Sequence, residues 1–240
     1  MHKTFGYDFM ETIRNTNQWL GATAKSFASY PAYEITPNPM MNWLAAWGEV
    51  TERSFERMVA KPDWNIDSFT CEDGRDHLVD IKIKIKKPFG DLVHFDVQDR
   101  KAINKKVLLI APMSGHYATL LTSTVHSLIA DCEVYITDWH NARDIPVSAG
   151  KFDIEDYTKY LIEFIKYLGS DIHVVAVCQP APLALAATAF ISEYEKNSIP
   201  KSLILIGGPI DPDVNPTDVT DFGRRVTMGQ LEHTMIQNVG

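Results

Sequence analysis

The chain has 240 residues, 45% of them apolar, with 31 acidic against 23 basic side chains and a net charge of −8. That length supplies one sizeable core, or one domain and the start of a second. The acidic balance excludes the basic face that nucleic acid requires, no run approaches the ~20 apolar residues of a membrane span, and the first residues lack the apolar stretch of a secretory signal.

Apolar residues recur at helical spacing over 7–28 (Phe9, Ile13, Trp19, Leu20) and over 40–59 (Leu44, Trp47, Val50, Phe55, Met58), with a proline-bearing break at 30–39. The spacing predicts two amphipathic helices. Two roles are open to their aromatic residues: packing on the main domain, as apolar stripes usually do, or remaining exposed to hold a water-insoluble substrate. Over 79–86, Val79, Ile81, Ile83 and Ile85 alternate with Asp80, Lys82, Lys84 and Lys86. This predicts a half-buried strand near a sheet edge with a solvated cationic face.

After Lys106 the pattern becomes strand and helix in turn. Short β-branched runs at 107–111, 133–137, 172–177 and 202–206 are separated by helical stretches at 118–129, 154–168 and 182–196. Continuously apolar strands joined by helices predict an α/β fold, a mostly parallel sheet flanked by helices. Residues 1–66 are then an N-terminal helical extension and 67–217 the α/β core. In 218–240, Met228, Leu231, Met235 and Ile236 form an apolar helical stripe with no later partner in sequence, so the C-terminal part of the fold is expected to be missing.

Three cysteines, Cys71, Cys132 and Cys178, are an odd count without metal-ligand spacing. That fits a reducing, cytoplasmic setting with at least one free thiol, and no metal or cofactor is expected. In open parallel sheets, sites form at the carboxyl ends of the strands. Four such ends are visible, at 112–117, 138–144, 178–182 and 207–212. The third carries the chemistry: a strand stops at Cys178, and a helix begins within about two residues, marked by Pro180 and Pro182. That is the layout of a nucleophile elbow, although the usual G-x-S-x-G pattern is replaced by Ala176-Val177-Cys178-Gln179-Pro180. A helix N-terminus favours a thiolate there. The other reading of Cys178 is a small buried hydrophobe after an apolar strand. Elbow geometry would make oxyanion donors of the Gln179 backbone N–H and one from Met113 or Ser114, with Gly115 allowing close approach of substrate or serving as an ordinary turn glycine. His116, Asp138 and Trp139 lie at strand ends and are candidate substrate contacts.

Taken together, 107–121 with Pro112-Met113-Ser114-Gly115-His116-Tyr117, 134–139 with Asn141-Ala142-Arg143-Asp144, Val177-Cys178-Gln179-Pro180 and Gly207-Gly208-Pro209-Ile210-Asp211 resemble intracellular polyhydroxyalkanoate depolymerases of the α/β-hydrolase superfamily. The likeness extends over the whole chain, including Phe222-Gly223-Arg224-Arg225-Val226. The resemblance implies an α/β-hydrolase-type fold, a Cys nucleophile at Cys178, and hydrolysis of poly(3-hydroxybutyrate)-type polyester stored in cytoplasmic granules. The granule polymer would be the partner. The resemblance also implies that 218–240 begin a cap-like insertion, with the family's catalytic Asp and His further along.

An in-chain base is the other possibility. His173 is about 16 Å before Cys178 on the same strand and cannot easily serve. His116 and His140 follow strand ends on the correct edge, with Asp138 and Asp211 as orienting carboxylates. Two further functions remain open: a polyhydroxyalkanoate synthase, which also places a Cys at an elbow but takes hydroxyacyl-CoA, and a non-catalytic granule-binding protein attached through its N-terminal aromatics.

Overall fold

The computed structural model describes residues 5–33, 38–71, 74–113 and 117–234. It divides into two compact units, residues 63–215 and residues 1–62 with 216–240.

The unit of residues 63–215 is built on a seven-stranded sheet. Its strands are β1 (Ser68–Thr70), β2 (Asp76–Ile85), β3 (Gly90–Val97), β4 (Lys106–Ile110), β5 (Glu133–Trp139), β6 (Ile172–Val177) and β7 (Ser202–Ile206), in the order β1-β2-β3-β5-β4-β6-β7. Strands β4 to β7 are parallel, whereas β3 runs antiparallel to both of its neighbours. The crossovers carry α3 (Thr122–Leu128), α4 (Ile154–Leu168) and α5 (Ala181–Tyr194). Successive strand residues point to opposite faces. Leu108, Ile110, Val174 and Ala176 accordingly pack with Leu161, Phe164 and Ile165 of α4 and with Ala184, Ala187 and Ile191 of α5. Their neighbours Val107, Leu109 and Val175 join Val125 of α3 and Ile129 in a second cluster. This is the mostly parallel, helix-flanked sheet expected of an α/β-hydrolase-type fold.

Three details differ from the sequence-based expectation. Strand β3 was not foreseen, because Asp91, His94 and Asp96 interrupt its apolar character, yet it sits inside the sheet between β2 and β5. The apolar face of β2 is buried only at Val79, while Ile81 and Ile83 remain 41% and 54% exposed. A register shift between Ile83 and Ile85 then turns Ile85 toward the α4/α5 cluster, as a bulge does by adding a residue to one strand. The helical stretch near 118 also opens as a 3₁₀ turn, Ala118–Leu121, before α3.

In the other unit, α1 (Phe5–Ala28) and α2 (Pro39–Arg57) form a helical pair. The helices meet at Gly21 and Gly48: a Cβ on Gly21 would stand 2.5 Å from Glu52 N, and one on Gly48 would stand 2.6 Å from Lys25 N. Only glycine permits that approach. Phe9, Trp19, Trp43 and Trp47 remain exposed, and the indoles of Trp43 and Trp47 stack at 6.5 Å. Two short helices, α6 (Asp218–Arg225) and α7 (Met228–Thr234), complete the described chain. Met235 and Ile236 of the expected apolar stripe lie outside the described residues. Among the described residues no helix is long and apolar enough to cross a membrane.

Candidate active site

Strand β6 ends at Val177, and the next residue turns the chain. Cys178 has φ 66°, in the left-handed region. The only other described non-glycine residues with positive φ are Asn65 and Asp99, types whose short polar side chains tolerate that region. A cysteine there is strained, and its surroundings hold it. Its N–H donates to the Ile206 carbonyl of β7 at 2.7 Å, and its carbonyl accepts from the Ala181 N–H at 3.1 Å as α5 begins. Pro180 precedes the helix with α-region dihedrals and Pro182 lies in its first turn, where a missing N–H costs nothing. The thiol is exposed, whereas Cys71 and Cys132 are half-buried, and all three are free.

The segment after β4 is pinned from the sheet. The Ala111 N–H donates to Thr137 Oγ1 at 3.0 Å, and the Ala111 carbonyl accepts from Trp139 Nε1 at 2.9 Å and from the Tyr157 hydroxyl at 3.4 Å. Two residues on, the Met113 N–H donates to Oε1 of Gln179 at 3.0 Å. Met113, Cys178 and Gln179 are therefore brought together. Ser114, Gly115 and His116 lie outside the described residues.

Trp139 is placed in the core rather than on an open surface. It is 3% exposed, lies 4.2 Å from the Tyr157 ring, and fills the space opposite Gly90, where a Cβ would come within 2.5 Å of its ring. Its contact with the segment after β4 is the hydrogen bond from Nε1 to the Ala111 carbonyl. Asp138 is also buried, directly across the β3–β5 ladder from Asp91.

Of the two histidines expected at the strand ends, His116 lies outside the described residues, and His140 is turned to other partners. The Nε2 of His140 lies 3.1 Å from Asp91 Oδ2, and its Nδ1 lies 3.0 Å from the Pro88 carbonyl. Both nitrogens therefore face acceptors. The strand it follows, β5, is separated from β6 by β4, which places the two strands about 10 Å apart. His173 engages Ser202 Oγ through Nδ1 at 2.8 Å. Sequence reasoning missed the Gln179 side chain, Thr137 and Asp91. Asp91 was hidden because β3 itself was not foreseen, and the Gln179 contact has no local signal.

No protein-family model and no curated protein matches this chain. Among solved structures it is similar to the Francisella virulence factor BioJ, at 13% identity over 79% of this chain and 58% of that one, with a TM-score of 0.42. It is also similar to an esterase of Rhizomucor miehei, at 13% identity over 78% of this chain and 62% of that one, with a TM-score of 0.45. For esterase B of Lactobacillus rhamnosis the values are 13%, 82%, 67% and 0.43. The chain thus spans about three-fifths of the length of the first two. The α/β fold follows from the chain's own strand order and parallel pairing.

Proposed function

We propose that the chain is a carboxylic ester hydrolase with Cys178 as nucleophile and poly(3-hydroxybutyrate)-type polyester as substrate. One observation carries the reading: an exposed thiol held at φ 66° on the tight turn between β6 and α5. Strain of this kind costs on the order of 1–3 kcal/mol and is kept where a side chain must stand clear of the sheet.

In the proposed reaction the Cys178 thiolate adds to the ester carbonyl carbon, and the carbonyl π pair moves onto oxygen. The Gln179 N–H and one from Met113 or Ser114 hold that oxyanion. Collapse re-forms the carbonyl and expels the alkoxide, which takes up a proton. Water then adds to the thioester and releases the hydroxy acid and the free thiol. With both ring nitrogens of His140 facing acceptors and His173 set back along β6 from Cys178, the general base is a residue other than these two.

The polyester assignment rests on the motifs at the four strand ends. Exposed Trp19, Trp43 and Trp47 on the helical pair suit an apolar solid such as a storage granule. The test is incubation of amorphous poly(3-hydroxybutyrate) with a protein that also carries the downstream Asp and His the resemblance implies, where release of 3-hydroxybutyrate is expected and is lost in Cys178→Ala. CoA release from hydroxyacyl-CoA without polymer breakdown would instead favour a synthase. Polymer binding unchanged by Cys178→Ala, with no turnover, would favour a granule-binding protein.

A further inference from the structure

The two halves of the proposed oxyanion site are joined by a side chain. Gln179 follows the elbow, and its Oε1 accepts the Met113 N–H at 3.0 Å across a separation of 66 residues. Because the donor is an N–H, the amide must present its carbonyl oxygen rather than its NH2 group. An amide carbonyl is the same kind of acceptor as an ester carbonyl. It occupies the Met113 N–H, one of the two backbone donors, Met113 or Ser114, that the reaction would direct at substrate.

We propose that the Gln179 side chain is a resident surrogate for the ester carbonyl, seated on the Met113 N–H in the resting protein and displaced by substrate before the oxyanion forms. This rests on the ester-hydrolase reading above and deepens it, giving Gln179 a regulating side chain in addition to its proposed backbone donor.

The geometry suits an exchangeable contact. The strand end is anchored without Gln179, because Thr137 and Trp139 hold Ala111 from inside the sheet. Gln179 itself is exposed, so its released amide would be satisfied by water. No described residue accepts from the Gln179 backbone N–H. One donor is therefore open while the other is covered. Displacing an exposed neutral hydrogen bond carries a modest net cost, so the surrogate slows acylation without blocking it. A carboxylate in its place would accept more strongly and be harder to displace.

The opposite role, a clamp that orders the loop for catalysis, predicts the opposite sign. The experiment measures the burst of p-nitrophenolate from p-nitrophenyl butyrate for the unaltered chain, Gln179→Ala and Gln179→Glu. Each rate is divided by the same protein's rate of Cys178 alkylation by iodoacetamide, a displacement that forms no oxyanion and corrects for changes in thiol reactivity. The ratio is expected to rise about three- to tenfold in Gln179→Ala and to fall in Gln179→Glu. A ratio that does not rise in Gln179→Ala, or that rises equally in Gln179→Glu, overturns the inference and leaves the ester-hydrolase reading standing. A burst that persists in Cys178→Ala, or no burst from a chain whose Cys178 still alkylates, overturns that reading and this inference with it.

Discussion

Gly208 lies so close to the elbow that a Cβ on it would stand 2.7 Å from the Cys178 carbonyl oxygen and 2.0 Å from Ala181 Cβ. The requirement is one of space, since what it would strike is the turn and the first residue of α5. Gly208→Ala must push β7 and the elbow apart. It is expected to cost about 1–3 kcal/mol in denaturant unfolding, as overpacking does, and to slow acylation of Cys178 at least tenfold. Acylation at the original rate would mean that the neighbouring loop gives way without moving the thiol.

Iodoacetamide should label Cys178 first under native conditions. It is exposed, whereas Cys71 and Cys132 are half-buried, and burial together with the charge of Asp131 pushes the Cys132 thiol up. A tenfold or greater preference, read by peptide mass spectrometry, is expected from access and thiolate fraction. Faster labelling of Cys71 or Cys132 would remove the elbow assignment.

His140→Ala separates a bracing histidine from a catalytic one. The substitution strips a partner from the buried carboxylate of Asp91, although the Lys87 N–H still donates to it at 3.0 Å. A loss of about 1–3 kcal/mol in stability follows from a buried acceptor left short of donors. Acylation of Cys178 should stay within about threefold. Loss of the burst with unchanged thermal stability would make His140 the base after all.

His94 sets an acid limit on the fold. It is buried against the Tyr135 ring, with centroids 4.3 Å apart, and no described group bonds either ring nitrogen. Burial, followed by the positive charge of Lys84, lowers its pKa to about 4. The unfolded chain therefore takes up the proton first as pH falls. Stability is full above about pH 6.5 and is lost progressively down to about pH 4. His94→Phe should flatten that part of the pH profile, removing a loss of at most about 3 kcal/mol. Melting curves taken across this window test it, and an unaltered slope would assign the acid sensitivity to other groups.

Local pattern was sufficient wherever one element's own residues carry the information. Helix α4 spans Ile154–Leu168, and strands β6 and β7 run Ile172–Val177 and Ser202–Ile206, as their periodicity and flanking residues predict. The position of Cys178 between an apolar strand and a helix opened by Pro180 and Pro182 was likewise legible. What only the tertiary structure decided involves partners far apart along the chain. Strand β3 is a sheet interior despite its polar residues because β2 and β5 cover both its edges. The left-handed turn at Cys178 needs the Ile206 carbonyl and the bare Cα of Gly208. His140 is drawn to Asp91, and Gln179 reaches back to Met113. Periodicity encodes which face of an element is apolar, whereas a hydrogen-bond partner is set by which distant backbone folding brings within about 3 Å.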